Sequence, residues 1–139
     1  MMPRATTGVK PTHIYAVMQV LKISDGDTLH VLLDLGFSVA MSADIRLSNL
    51  DAPEAEGPTA PQSQKVVAAV AKWLAACKTM TLDSKSMDKW RRSLGILYNE
   101  KNESLNDFLV KNGLARSYHG EAKIPWTLEQ LAVIDKYVV

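Results

Sequence analysis

Apolar and polar positions alternate along the first third of the chain closely enough to predict strands. Residues 14–23 mix β-branched and apolar side chains and end at Ser24-Asp25-Gly26, which reads as a turn. Residues 28–35 form a second run, in which Leu29, Val31 and Leu33 share a face by the two-residue repeat, and Gly36 breaks it. Residues 37–47 put Val39, Met41, Ala43, Ile45 and Leu47 on one side and Ser38, Ser42, Asp44 and Arg46 on the other. Three such runs in succession predict a meander.

The repeat then lengthens. Residues 55–62 hold Gly57, Pro58 and Pro61 and read as a loop. A helix is predicted from Pro61 or Ser63 to about Lys78, with Val66, Val67, Val70, Trp73, Leu74 and Cys77 on one stripe. Trp73 and Cys77 are read as core. Residues 79–83 predict a fourth strand, 84–92 a polar, basic connection and 94–98 a fifth strand, closed by a polar turn at 99–103. Ser104 is placed to cap a short helix that stops at Gly113, with Leu105, Phe108 and Leu109 inward. Thr127 and Gln130 have capping-box spacing for a last helix, with Leu128, Leu131, Ile134 and Val138 as its stripe. The pattern suits an α+β, mainly β fold: a five-stranded Greek-key barrel of OB type with about three helices. Pattern alone leaves other small α+β arrangements open.

Composition narrows the class. A chain of 139 residues predicts one domain, assigned to residues 13–139, preceded by a flexible arm at 1–12 that holds Pro3, Gly8 and Pro11. The single Cys77 rules out an internal disulfide and a cysteine-rich zinc site. His13, His30 and His119 are scattered without metal-ligand spacing. No apolar run is long enough to span a membrane, and the first residues lack a signal-peptide stretch. The expectation is a cytoplasmic monomer with no membrane partner. The net charge of +1 does not announce a nucleic-acid binder, but clustering of charge matters more than its sum. Residues 85–92 carry four cationic side chains against Asp88, enough to track a phosphate backbone.

Candidate chemistry concentrates in two acidic turns, Asp25-Gly26-Asp27-Thr28 and Asp51-Ala52-Pro53-Glu54, with Arg46 between them. Folding the strands back on themselves brings both turns to one end of a sheet. Asp27 falls on the face of Leu29, Val31 and Leu33, where an unpaired carboxylate is costly to bury. Clustered carboxylates also repel unless a cation sits among them. A divalent ion with Arg46 nearby relieves both problems. Either turn alone reads as an ordinary acidic turn, since Asp-Gly is a common hairpin signal. Together they favour a site. Asp27 and Asp51 are the natural ligands, and oxygen-only donors favour Ca²⁺ or Mg²⁺ over zinc. Glu54 follows the rigid Pro53, which fixes its direction.

These residues resemble the staphylococcal (thermonuclease) nuclease family. The matching blocks, in order, are the two acidic turns around Arg46-Leu47, then Asp88-Lys89-Trp90-Arg91-Arg92-Ser93-Leu94, then residues 105–115, which read LNDFLVKNGLA. The resemblance runs from about His13 to Tyr118 and implies the same OB-type barrel. It implies Ca²⁺, with Mg²⁺ the lesser alternative, held by Asp27, Asp51 and the main-chain carbonyl of Ala52, with Asp25 standing behind them. It implies Glu54 as general base and Arg46 and Arg92 as the phosphate-binding arginines. Lys89, Trp90 and Tyr118 fall where the family contacts nucleic acid. The implied activity is cleavage of DNA, and of RNA too, with little sequence specificity, leaving 3′-phosphate ends. The chain departs from the family prototype at Arg91, which replaces a glycine, and at His119, which stands near a nucleotide-stacking tyrosine. The competing class is a non-catalytic OB module that binds nucleic acid or protein; retention of Asp27, Arg46, Asp51, Glu54 and Arg92 favours the enzyme.

Overall fold

The structure, a computed structural model, describes residues 12–139. Except for Thr12, the arm assigned to residues 1–12 lies outside the described residues. The chain runs β1 (Ile14–Asp25), β2 (Thr28–Gly36), β3 (Val39–Leu47), β4 (Leu50–Asp51), α1 (Ala60–Ala75), β5 (Met80–Met87), β6 (Ser93–Asn99), α2 (Leu105–Lys111), β7 (Arg116–Ser117) and α3 (Leu128–Lys136). No helix among the described residues is long and apolar enough to cross a membrane.

The five long strands close a barrel in the order β1-β2-β3-β6-β5, as expected of an OB-type fold. All pairs are antiparallel except β3 with β6, which run parallel through Ile45↔Ser93, Arg46↔Leu94 and Leu47↔Gly95. That parallel pair brings the start of β6 beside Arg46. Three register shifts bend β1, so that it pairs with β2 along most of its length and with β5 at its start. Leu29, Val31, Ile45, Leu47, Leu82 and Leu97 are fully enclosed in the barrel. Val66 and Val70 of α1, Leu105 and Leu109 of α2 and Ile134 of α3 extend the same core. Trp73 packs against Phe108 with ring centres 6.4 Å apart, in line with its reading as core.

Both predicted helix caps form. Ser104 Oγ accepts from the Asp107 amide at 3.0 Å, and Thr127 and Gln130 make the reciprocal capping box. Three expectations change. The outer half of the β3 face is open: Val39 and Met41 are each 50% exposed, because β3 meets β6 only from Ile45 onward and no described element covers the projecting hairpin. The basic stretch after Asp83 is not a loose connection, since β5 continues to Met87 and pairs with β6 down to Met87↔Ser93. The α3 stripe is narrower than predicted: Ile134 is buried, Leu131 half-buried, and Leu128 and Val138 exposed. This helix leans on α1 from one side only, and Val138 lies beyond its end. The two-residue ladder β4–β7 was not foreseen, being too short to show a period.

Candidate active site

The two acidic turns are stapled to each other. The Leu47 amide donates to the Asp27 carbonyl at 2.8 Å, and the Ala52 amide donates to Asp27 Oδ2 at 2.8 Å. Asp25 Oδ1 accepts from the Ala55 amide at 3.2 Å, so Asp25 stands behind the cluster and holds the second turn. Gly26 lets helix α1 close over both. A Cβ there would lie 2.3 Å from Val66 Cγ1 and 3.2 Å from Ala52 Cβ.

Asp27 and Asp51 are buried, 4% and 2% exposed. Arg46 bridges them, with Nη1 at 2.8 Å from Asp27 Oδ2 and Nη2 at 3.7 Å from Asp51 Oδ1. The first contact is ionic rather than a well-aligned hydrogen bond, and Nη1 has no other partner. Burial pushes the Asp27 carboxyl above the ordinary carboxylate range; the Arg46 charge, the Ala52 amide and the Thr28 hydroxyl pull the other way without offsetting it, and Asp51 adds to the rise.

Asp51 has two further partners that the sequence reading missed. Arg116 donates from Nε to Asp51 Oδ2 at 3.1 Å and stacks on Trp126, 4.4 Å from the ring centre. Lys123 Nζ lies 3.1 Å from Asp51 Oδ1. The only signal for Arg116 is its pairing opposite Asp51 in the short β4–β7 ladder. Lys123 arrives from the irregular segment before α3, where no periodic pattern points anywhere. Among the described residues no three Asp, Glu, His or Cys side chains are grouped to hold a metal ion. The cluster itself offers two buried carboxylates, with the Thr28 hydroxyl beside Asp27.

A cleft of about 460 Å³ opens over this cluster. Five carboxylates line it, those of Asp25, Asp27, Asp51, Glu54 and Glu56, together with Lys22, Arg46, Arg92 and Lys123. Glu54 is exposed, with its main-chain oxygen held by the Thr59 hydroxyl at 3.0 Å. Arg92 is aimed by Asp88: Asp88 Oδ2 accepts from Arg92 Nε at 2.8 Å, while Oδ1 accepts from the Arg92 and Trp90 amides at 2.9 and 2.8 Å. That use of Nε leaves the two terminal nitrogens of Arg92 for an anion. Arg91 takes the left-handed conformation, φ 62°, which is natural for the glycine it replaces and costs another residue about 1 kcal/mol or more. Its side chain lines a separate hollow at the barrel mouth, with Tyr15 and Met41, so the two arginines diverge.

A second groove adjoins the cleft and shares Arg46, Arg92 and Lys123 with it. Lys89, Trp90 and Tyr118 all line this groove, as does His119. Trp90 is 67% exposed, with Lys89 Nζ 5.1 Å from its ring centre. Lys85, also in the groove, pairs with Asp83 at 2.7 Å. Five cationic side chains line this groove with one carboxylate, Asp88, although four of them, Arg46, Lys85, Arg92 and Lys123, are paired with carboxylates in or beside it. All the candidate residues named from sequence thus fall into two connected depressions.

Comparison with known proteins agrees with this geometry. Residues 44–136 match the family model described as staphylococcal nuclease homologue, a span that begins after Asp25 and Asp27 and contains the other site residues. A protein of Haemophilus influenzae named as an uncharacterized endonuclease is 34% identical over 100 residues, covering 72% of this chain and 51% of its own length. One of Escherichia coli O157:H7 with the same name is 32% identical over 100 residues, covering 72% and 60%. The chain therefore spans about half to three-fifths of the curated relatives it matches. With a closed barrel of the expected order and a matched span of about two thirds of its length, the chain belongs to the staphylococcal nuclease homologue family.

Proposed function

We propose that the chain is a nuclease that hydrolyses phosphodiester bonds of DNA, and of RNA as a second substrate, with little sequence specificity and with Ca²⁺ as its metal; Mg²⁺ is the less suited ion. One observation carries the reading. The buried Asp27–Arg46–Asp51 cluster opens onto the same cleft as the exposed Glu54 and the oriented Arg92. Membership of a nuclease family and the endonuclease names of its relatives support it.

The residues present suit a hard cation. Every side-chain donor in the cluster is an oxygen. Burial holds the Asp27 carboxyl above its ordinary range even with Arg46 beside it, a cost that a further cation would offset. An ammonium, that of Lys123, already stands at Asp51 Oδ1 as a cation would. Asp27, Asp51 and the Ala52 carbonyl would hold the ion, which supplies Lewis acidity to a phosphate oxygen when bound.

The rest of the chemistry falls to the protein. Glu54, exposed in the cleft, takes a proton from the attacking water. Arg46 and Arg92 present guanidinium forks to the phosphate oxygens, where negative charge grows as water adds. Trp90 and Tyr118 stack on bases of the bound strand and Lys89 meets its backbone, which gives affinity without sequence choice. In-line attack opposite the 5′-oxygen leaves 3′-phosphate and 5′-hydroxyl ends. In this reading the working unit is a monomer, each chain carrying its own cleft.

The test is a digest of end-labelled oligonucleotides with and without Ca²⁺, with the ends analysed, run on the wild type and Glu54→Gln. The wild type is expected to cut only with the ion. The variant is expected to fold and bind DNA but to cut about 10²–10⁴-fold more slowly, the usual worth of a positioned base. A wild type that binds nucleic acid yet cuts with no divalent ion is a binding module instead.

A further inference from the structure

Asp51 is surrounded by more cations than its own charge requires. Arg46, Arg116 and Lys123 all approach it, at 3.7, 3.1 and 3.1 Å. The three are not equivalent. Arg46 is 11% exposed and shared with Asp27. Arg116 is 16% exposed, stacked on Trp126 and bonded to the Ile124 carbonyl at 2.6 Å. Lys123 is 44% exposed and belongs to no helix or strand. It lines both the cleft and the basic groove, and its ammonium also lies 5.4 Å from the Tyr118 ring centre. Of the three, Lys123 is the most exposed, and its ammonium already borders the groove while it pairs with Asp51.

We infer that Lys123 is a tethered cation that holds Asp51 and competes with the metal ion for it. The inference rests on the metal reading given above. Without the ion, the ammonium neutralises Asp51 Oδ1 and keeps the buried pair of carboxylates together. An arriving hard cation needs that oxygen and displaces the ammonium. The displaced side chain stays within the cleft and the groove, where the next anion to arrive is the phosphate of a bound strand. Loading of the ion and gripping of the strand are then coupled through one side chain, without movement of the barrel.

This assigns an unusual sign to a mutation. A lysine that only supports the site would weaken ion binding when removed; a competitor strengthens it. The experiment is calorimetric titration of the metal-free full chain with Ca²⁺ at fixed ionic strength, on the wild type, Lys123→Gln and Lys22→Gln. Lys22 lines the same cleft but makes no ion pair with Asp51, so it controls for the general loss of one positive charge. Lys123→Gln is expected to bind Ca²⁺ about fivefold more tightly, the order set by a partly exposed ion pair, with Lys22→Gln changed much less. Unchanged or weaker binding in Lys123→Gln overturns the inference and leaves the metal reading standing. An equal gain in both variants also overturns it, because the effect is then the field of the cleft rather than the contact. Absence of Ca²⁺ binding in all three proteins removes the metal reading, and this inference with it.

Discussion

Replacing Gly26 by alanine tests whether the packing of α1 is what holds the two acidic turns in register. The added methyl would sit 2.3 Å from Val66 Cγ1. Carbon atoms in contact prefer about 3.5–4.0 Å, so roughly 1.5 Å must be opened. Val66 has no freedom to supply it: it is fully buried, and a β-branched side chain in a helix is confined to one rotamer. The strain falls at the upper end of the usual cost of overpacking, about 2–3 kcal/mol. At about 3–5 °C per kcal/mol for a domain of this size, Tm should fall by roughly 6–15 °C. The turn that yields carries both Asp25 and Asp27, so their bonds to the Ala55 and Ala52 amides must lengthen, and activity should fall by about 10²-fold per ångström of misplacement. Thermal unfolding and the oligonucleotide digest are measured on Gly26→Ala, Val66→Ala and the double variant. Removing the Val66 methyls makes room for the new one, so the double variant should be more stable than the sum of the singles predicts, by about 1 kcal/mol or more. Strict additivity, or an unchanged Tm in Gly26→Ala, refutes the argument.

Two further predictions concern the hairpin between β5 and β6. Burial pushes the Asp88 carboxyl up, but the Arg92 amide and side chain and the Trp90 amide outweigh it and leave it below the ordinary carboxylate range. A depressed carboxylate stabilises the fold above its unfolded-state value and loses that contribution as pH falls through its folded value, so the stability gap between wild type and Asp88→Asn should close in acid. Urea midpoints along a pH series check this, and the digest at neutral pH should show turnover down by about one to two orders of magnitude because Arg92 loses its aim. Trp90→Ala should weaken binding of a single-stranded oligonucleotide by about 1–3 kcal/mol while leaving Tm unchanged, since the ring is exposed; fluorescence anisotropy and thermal unfolding measure the two.

Local patterns explain why so much was legible. The meander, α1 and both caps rest on periods and spacings contained within a few residues. The acidic turns stand out because the residue that must be buried, Asp27, sits in phase with Leu29 and Val31, and the structure keeps that phase. The misread parts depend on what lies across the gap. Val39 and Met41 alternate as well as Ile45 and Leu47 do, but alternation does not reveal where the partner strand ends. Leu128 and Val138 fit a helical stripe in sequence, but Leu128 opens the helix on its exposed side and Val138 lies beyond its end.

What the sequence reading missed at the site, the two further cationic partners of Asp51, has a different cause. From sequence, a cluster of carboxylates with Asp27 on the core face had one visible cation, Arg46, and that crowding favoured a metal. The structure brings Arg116 through a two-residue ladder and Lys123 from a segment without regular structure, neither of which leaves a periodic trace. Asp51 is therefore not short of positive charge. The cost of burial falls on Asp27, whose carboxyl stays above its ordinary range with Arg46 beside it and which pairs with neither Arg116 nor Lys123. The proposed ion would offset the cost of burial at Asp27 and share Asp51 with Lys123, the most exposed of that carboxylate's three cationic partners.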